Sequence, residues 1–169
     1  MRISSLAVGF ALALFQTTAA LAAPVDLSGT WVLDKAASGD LDPLLTARGA
    51  SWMERKAVKG MSVTQTIAQT GDTLNIEVDT SLKDSEQTVQ VDGVAREQVT
   101  PKGDLATVTH RWDGAAWVSQ SVARAPSGEN VSITRATRLS PDGATLTTHI
   151  HLARGDQAPV ELSRVYRRQ

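Results

Sequence analysis

Cysteine is absent from this sequence, and aromatic residues are scarce. Without cysteine the chain has no disulfide framework, and its N-terminus cannot carry a thiol-linked lipid. A small domain of this kind must be stabilised by its hydrophobic core alone. The only phenylalanines, Phe10 and Phe15, lie near the N-terminus, so four tryptophans and Tyr166 are the remaining aromatic residues. The single tyrosine is conspicuous for this reason.

An excess of charge of one sign is also missing. The chain has 17 basic and 18 acidic side chains and a formal net charge of −1 at pH 7. Such an even balance argues against nucleic acid or an anionic membrane as the main partner of the protein. The length of 169 residues fits one domain.

Sequence signatures of catalysis are absent as well. The chain contains no Gly-x-Ser-x-Gly turn, no phosphate-binding loop and no His-Glu-x-x-His. His149 and His151 have the spacing of two metal ligands on one strand face. Leu146 and Ile150 make the opposite face the apolar one, so the histidines are expected to point outward, and His110 is remote in sequence. The sequence therefore predicts no enzyme activity, no cofactor and no metal site.

Long hydrophobic runs are limited to the N-terminus. An arginine precedes an apolar run over Leu6–Phe15, and small residues follow it, which is the layout of a secretory signal peptide. The run is too short for a membrane anchor. We expect residues 1–22 to be removed by cleavage after Ala22, which leaves residues 23–169 as one periplasmic or secreted domain.

What the chain does have is a regular succession of turns and short alternating segments. Glycine and aspartate recur at turn positions, for example at Gly71-Asp72, Asp92-Gly93 and Asp113-Gly114, where positive backbone φ angles are expected. The turns separate ten strand-like runs, from "SGTWVLD" at the front to "VELSRVYRR" at the end. Many short strands with regular turns predict an all-β meander, closed as a barrel or stacked as a sandwich.

Two short helices interrupt this pattern after the first strand. In "DLDPLLTARG" we expect Asp42 to be the N-cap, with Pro43 at the first helical position and Gly49 as the stop. In "SWMERKAVKG" the serine and the glutamate three residues later form a predicted capping box, and the final glycine ends the helix.

Taken in order, these segments resemble the fatty-acid-binding proteins, the intracellular lipid-binding proteins of the calycin group. The resemblance is carried by "LSGTWVLD", "LDPLLTARGASWMERKAVKGM", "TGDTLNIEVDTSLKDSEQTVQVDG" and "SRVYRRQ". It implies a ten-stranded antiparallel β-barrel (a β-clam) with a two-helix lid between strands one and two, and a fatty-acid-like ligand bound non-covalently in an internal cavity. The chain departs from that family in its predicted export and in longer hairpins near Ala125 and Gly155.

Three polar residues in the last strands are candidate ligand contacts. Arg164 and Tyr166 alternate with Val160 and Leu162 on one strand face, and Arg135 sits in the same way on an apolar face of an earlier strand. A buried arginine needs an anionic partner, and a ligand carboxylate is one. The resemblance assigns the same role to these three residues. The alternative is that the arginines are outward and solvated, which a register shift of one residue would produce.

The resemblance also implies roles for residues elsewhere. Trp31 and Arg168 resemble the pair that closes the end of calycin barrels, with a guanidinium stacked on an indole. In the lid, the candidates for contact with a hydrocarbon tail are Leu41, Leu45, Trp52 and Val58. The alternative for these four is that they only pack the lid onto the barrel.

These observations favour a monomeric carrier of a small hydrophobic carboxylate, with transient membrane contact through the lid. The alternative is an envelope protein whose barrel is filled by its own side chains and which acts through its surface as an inhibitor or assembly factor. A third hypothesis, an enzyme acting on a small lipid, would need a polar dyad beside the cavity.

Overall fold

The computed structural model describes residues 25–100, 103–125 and 127–169. The predicted signal peptide, residues 1–22, lies outside the described residues. The ten strands, in chain order, are β1 (Gly29–Asp34), β2 (Val63–Thr70), β3 (Thr73–Thr80), β4 (Ser85–Gln90), β5 (Arg96–Val99), β6 (Leu105–Asp113), β7 (Ala116–Arg124), β8 (Asn130–Leu139), β9 (Thr145–Arg154) and β10 (Val160–Arg168). The two helices are α1 (Asp42–Ala47) and α2 (Trp52–Gly60), both between β1 and β2.

All ten strands form one antiparallel sheet. Its strand order is β4-β3-β2-β1-β10-β9-β8-β7-β6-β5, so the first and last strands of the chain are neighbours at its centre. Hairpins join consecutive strands except at two places: the helices connect β1 to β2, and β4 and β5 lie at opposite edges of the sheet. Glycines with positive φ, such as Gly71 at 58° and Gly114 at 58°, make the tightest turns. The predicted ten-stranded antiparallel architecture with a two-helix insertion is therefore confirmed.

Period-two alternation decides which side chains face the interior. In β9, Leu146 and Leu152 are almost completely buried, whereas His149 between them is exposed. A hydrophobic cluster fills one end of the curled sheet and consists of Leu27, Trp31, Ile67, Leu74, Ile76, Val89, Val91 and Leu146. This cluster is the part of the core that stabilises the fold without any disulfide.

Trp31 and Arg168 meet at that end of the sheet. The two residues are register partners in the β1–β10 ladder, and the guanidinium carbon lies 4.3 Å from the centroid of the indole ring. The indole N–H donates to the Leu27 carbonyl oxygen at 3.0 Å, so the buried ring keeps a hydrogen bond. Arg168 also donates to the carbonyl oxygens of Ser28 at 3.0 Å and Gly143 at 2.8 Å.

The helix boundaries agree with the sequence except at one cap. Ser51 and Glu54 form the predicted capping box of α2. At α1 the N-cap is Leu41, which makes no side-chain cap, and Asp42 lies inside the first turn. The expectation that Asp42 is the N-cap was wrong, because its carboxylate instead accepts a hydrogen bond from Arg55 Nε of α2 at 3.2 Å.

Hydrogen bonds fasten the helical segment to the sheet at several points. Arg154 of β9 donates from Nη1 to the Ala47 carbonyl oxygen at the end of α1, at 2.9 Å. Lys35 donates from Nζ to the Gly60 carbonyl oxygen at the end of α2, at 2.8 Å. Neither α1 nor α2, the helices of the described part of the chain, is long and apolar enough to cross a membrane.

Candidate ligand-binding cavity

The curled sheet encloses a cavity of about 740 Å³. This volume lies within the range of sites that bind small molecules. Its apolar wall is contributed by strands from both halves of the sheet and includes Ile67, Ile76, Val78, Ala106, Val108, Val131, Ile133, Leu146 and Ile150. The end of α1 borders it through Ala47, Arg48 and Gly49.

Arg164 and Tyr166 of β10 both lie on the wall of this cavity. In the β9–β10 ladder Arg164 is opposite Thr148 and Tyr166 is opposite Leu146, so both share the inner face of the sheet. Burial raises the pKa of the Tyr166 phenol, and the positive charge and hydrogen bond of Arg164 oppose that rise. The phenol therefore stays protonated at neutral pH and can donate a hydrogen bond into the cavity.

Arg135 of β8 lies on the same wall, opposite Ser119 of β7 and Ile150 of β9. Its pKa is lowered, first because burial disfavours the charged form and second because the positive charge of Arg48 is near; Tyr166 acts in the opposite direction. An arginine nevertheless remains protonated in a protein. The cavity therefore contains a buried positive charge.

Arg135 and Arg164 have no anionic partner among the described residues. Among residues 25–100, 103–125 and 127–169, no Asp or Glu forms an ion pair with Arg135 or Arg164. The Nε atom of Arg164 is buried and has no hydrogen-bond partner among the described residues. An uncompensated buried charge costs several kcal/mol, on the order of the desolvation penalty of one ion, so two partly buried guanidinium groups without an anionic partner are costly to the fold.

The four lid residues that were predicted to contact a hydrocarbon tail lie away from the cavity wall. Leu41, Leu45, Trp52 and Val58 are not among the residues that line the cavity. The buried residue of α1 is Leu44. The Trp52 side chain of α2 is 65% exposed, and the Lys56 ammonium lies 5.1 Å from the centroid of its ring.

Several cavity residues were not identified from the sequence as ligand contacts. Arg48 borders the cavity, and His110, Trp117 and Ser119 of β6 and β7 line it. Alternation in "LATVTHRW" and "AAWVSQSVA" is the signal that could have placed them inside, since His110 shares a face with Val108. Burial lowers the pKa of His110, and the positive charges of Arg96 and Arg135 lower it further.

The other two histidines lie on the outer face of the sheet. His149 Nδ1 is 2.8 Å from the Ser163 hydroxyl oxygen, and His151 Nε2 is 3.9 Å from a Glu161 carboxylate oxygen. No group of three potential metal-ligating side chains occurs in the described ranges of the chain.

Comparison with known proteins shows the fold but no near relative in sequence. No family model matches the chain, and no curated protein matches it. Among solved structures, the REP1-NXSQ fatty acid transporter is 25% identical with a TM-score of 0.62, over 85% of this chain and 96% of that one. Lipid binding protein 8 of Caenorhabditis elegans, solved without ligand, is 18% identical with a TM-score of 0.65, over 84% and 94%. Human cRBP IV is 19% identical with a TM-score of 0.62, over 86% and 100%.

These structures have the architecture that the sequence predicts. The matches span nearly the full length of each solved chain, so the described domain corresponds to the whole fold and not to one of its parts. The resemblance to the fatty-acid-binding proteins is confirmed as a likeness of fold.

Proposed function

We propose that this protein binds a fatty-acid-like carboxylate non-covalently in its cavity and carries it. The observation that supports the proposal most directly is the pair of partly buried guanidinium groups on the cavity wall, Arg135 and Arg164, with no carboxylate partner in the described chain and with Tyr166 beside them. A ligand carboxylate supplies the missing negative charge. Arginine binds it through two parallel N–H···O bonds, and the phenol can donate a third.

The apolar wall of the cavity suits the rest of such a ligand. Burial of a hydrocarbon tail contributes about 0.8 kcal/mol per methylene group, so the tail supplies most of the affinity. The arginine–tyrosine cluster then fixes the orientation of the ligand and selects acids over neutral lipids. This division of roles predicts which substitutions affect affinity and which affect selectivity.

The other two hypotheses have less support. The inhibitor or assembly-factor hypothesis requires an interior filled by side chains, and the cavity of about 740 Å³ lends it none. The solved structures with this fold carry the names of a transporter and of binding proteins. We therefore propose binding without catalysis.

The test compares an acid with its matching alcohol. Native mass spectrometry of the purified protein should detect a co-extracted lipid. Titration with palmitate and with hexadecanol should show that Arg164→Ala weakens palmitate binding by about 10- to 100-fold, the range expected for a hydrogen-bonded charge, and Tyr166→Phe by less. Hexadecanol binding should change little in either variant.

Arg138→Ala is the matched control. Arg138 lies on the same strand as Arg135 but is exposed to solvent. The carrier proposal is wrong if no lipid co-purifies and neither ligand binds. The arginine assignment is wrong if Arg164→Ala weakens the acid and the alcohol equally, or if Arg138→Ala has the same effect.

We also propose that the protein works outside the cytoplasm, after cleavage behind Ala22. The support is the order of charge, apolar run and small residues at the N-terminus. Intact mass and N-terminal sequencing of the protein recovered from the cell envelope or medium test this proposal. A chain that begins with Ala23 supports it, and a full-length chain retained in the cytoplasm contradicts it.

We also propose that the protein is a monomer and that its lid contacts a membrane transiently through the surface of α2. Trp52 and Met53 are 65% and 74% exposed there, and Lys56 and Lys59 lie on the same short helix. Apolar side chains next to basic ones suit the surface of an anionic bilayer. Transfer of a fluorescent fatty acid to vesicles should accelerate with anionic lipid content, and the double substitution Trp52→Ser, Met53→Ser should remove that dependence.

A further inference from the structure

Three buried side-chain nitrogens lack a hydrogen-bond partner among the described residues, and all three belong to residues that line the same cavity. They are Arg164 Nε, His110 Nδ1 and Trp117 Nε1. The carboxylate site proposed above involves Arg164 but leaves His110 and Trp117 unexplained. Since buried polar groups are nearly always hydrogen-bonded in folded proteins, two such atoms in one place need a cause.

The contrast with Trp31, which is buried, and with Trp112, which is partly exposed, makes Trp117 distinctive. The indole N–H of Trp31 donates to the Leu27 carbonyl oxygen at 3.0 Å, and that of Trp112 donates to Asp72 Oδ1 at 3.0 Å. The fold thus provides an acceptor for each of these indoles. Trp117 has none in the described part of the chain, and its ring lies on the cavity wall.

His110 and Trp117 form one site and not two. They lie on the neighbouring strands β6 and β7, and their rings stack with centroids 5.9 Å apart and planes inclined by 30°. Along the sheet, His110 is opposite Ser119, which is opposite Arg135. His110 therefore lies two strands away from Arg135, about 10 Å measured along the backbone spacing of a sheet, and Trp117 lies on the strand between them, opposite Thr137.

The chemistry of the two side chains restricts what they can bind. An indole N–H can only donate, whereas a neutral imidazole has one donor and one acceptor nitrogen. His110 stays neutral at neutral pH because burial and the charges of Arg96 and Arg135 lower its pKa. Without a positive charge, the pair is suited to a neutral oxygen and not to a second carboxylate. A hydroxyl oxygen can accept a hydrogen bond from Trp117 Nε1–H, and the same hydroxyl can donate its proton to His110 Nδ1. Both buried nitrogens then have a hydrogen-bond partner.

We infer that His110 and Trp117 form a second polar subsite in the cavity, which binds a hydroxyl group on the hydrocarbon chain of a long-chain carboxylate. The inference rests on the proposed carboxylate site, which would hold the other end of the same molecule. Because His110 lies two strands from Arg135, the hydroxyl belongs several carbons away from the carboxyl group and not next to it.

The test uses stearate, 2-hydroxystearate and stearates hydroxylated at mid-chain positions 8, 10 and 12. At least one mid-chain hydroxy acid should bind about fivefold to tenfold more tightly than stearate, the gain expected from one buried hydrogen bond. The 2-hydroxy acid should show no such gain. Trp117→Phe and His110→Phe should each bring the ratio of hydroxystearate affinity to stearate affinity towards one. Stearate binding should persist in both variants, which also shows that they are folded.

Trp112→Phe is the matched control, because its indole N–H is bonded to Asp72 and the residue does not line the cavity. The higher affinity for the hydroxy acid should survive in this variant.

A measurement on the unmodified protein complements the variants. The indole N–H resonance of Trp117, assigned by its loss in Trp117→Phe, should move downfield with the preferred hydroxy acid and not with stearate.

The outcomes separate the two proposals. If none of the acids binds, the carrier proposal fails and this inference fails with it. If stearate binds and no mid-chain hydroxy acid gains affinity, the carrier proposal stands and the hydroxyl subsite is refuted. A gain that persists in both Trp117→Phe and His110→Phe would place the hydroxyl elsewhere and would also refute it.

Discussion

The guanidinium of Arg168 stacks on the indole of Trp31 at the point where the two ends of the folded chain pair. Arg168 also packs directly against Gly29, whose φ of +143° and lack of a side chain leave room for it. A Cβ atom at position 29 would overlap the guanidinium. The contact between β1 and β10 is therefore made by side chains as well as by the backbone ladder.

Arg168→Ala should lower the free energy of unfolding by about 1–2 kcal/mol, because it removes the stacking on Trp31 and the hydrogen bonds to Ser28 and Gly143. Urea denaturation measures the change. Arg167→Ala is the control, since Arg167 pairs with Asp34 on the exposed face and such pairs contribute little. Equal effects of the two substitutions would argue against a special role for the stacked pair.

Arg135→Met should stabilise the protein without ligand. The substitution removes a buried charge that lies near the positive charge of Arg48, and it adds apolar contact to the cavity wall. The expected rise in the free energy of unfolding is about 1–2 kcal/mol, together with loss of selectivity for carboxylates. Thermal and urea denaturation of the ligand-free protein test it, with Arg138→Met as the exposed control on the same strand.

A fall in stability in Arg135→Met, with carboxylate binding unchanged, would show that Arg135 is a structural residue. The opposite pair of changes, higher stability and weaker binding, is the pattern expected of a residue kept for its ligand. The two measurements on one variant therefore distinguish the roles.

Stability should fall as the pH is lowered from about 6.5, and His110 should account for part of the fall. Its pKa in the folded protein is below the ordinary value of 6.5, because the buried ring is kept neutral. Between the two pKa values the unfolded chain binds a proton that the folded chain does not, so acid favours unfolding there. The contribution of the neutral His110 ring to the free energy of unfolding is fully present above about pH 6.5.

Urea midpoints measured between pH 7.5 and about 5, where carboxyl groups are still ionised, test this expectation. In His110→Phe the fall across that range should be shallower than in the unmodified protein. Parallel curves for the two proteins would contradict the assignment.

Arg154→Ala should loosen the attachment of α1 to the sheet. Arg154 bonds Glu129 through Nε at 2.6 Å and the end of α1 through Nη1 at 2.9 Å to the Ala47 carbonyl oxygen. Faster amide hydrogen exchange in α1 and a severalfold faster release of bound fatty acid are expected, since the helix borders the cavity. Arg138→Ala is the control, because Arg138 is exposed and does not line the cavity. Unchanged exchange in α1 would argue against a tether.

The fold was predictable because most of the evidence for it is periodic. Apolar residues at every second position of β8 and β10 place Arg135, Arg164 and Tyr166 on the inner face, and the observed ladders have the corresponding register. Turn glycines mark the hairpins between them. Together these signals predict the number of strands and most of the hairpins between them without any specific motif, whereas the pairing of β1 with β10 follows only from the resemblance.

The lid and one side of the cavity were not predictable in the same way. α1 has six residues, less than two turns, so periodicity cannot select between Leu44 and its neighbours as the buried face. In β7 the inner positions include Ser119 and Ser121, while Val118 on the opposite face is also buried. Hydropathy therefore marks the faces of β7 only weakly, so Trp117 is harder to assign from the sequence than His110, which shares a face with Val108 in β6.

The central position of β1 and β10 has a consequence for how the chain reaches its native state. Ser28 and Arg168, which share a hydrogen bond, are 140 positions apart. The β1–β10 ladder thus cannot form until β10 has been synthesised, and until then β1 has only β2 as a neighbour. Completion of the sheet therefore depends on a contact of very high sequence separation, which makes folding slower than it would be for a succession of hairpins alone.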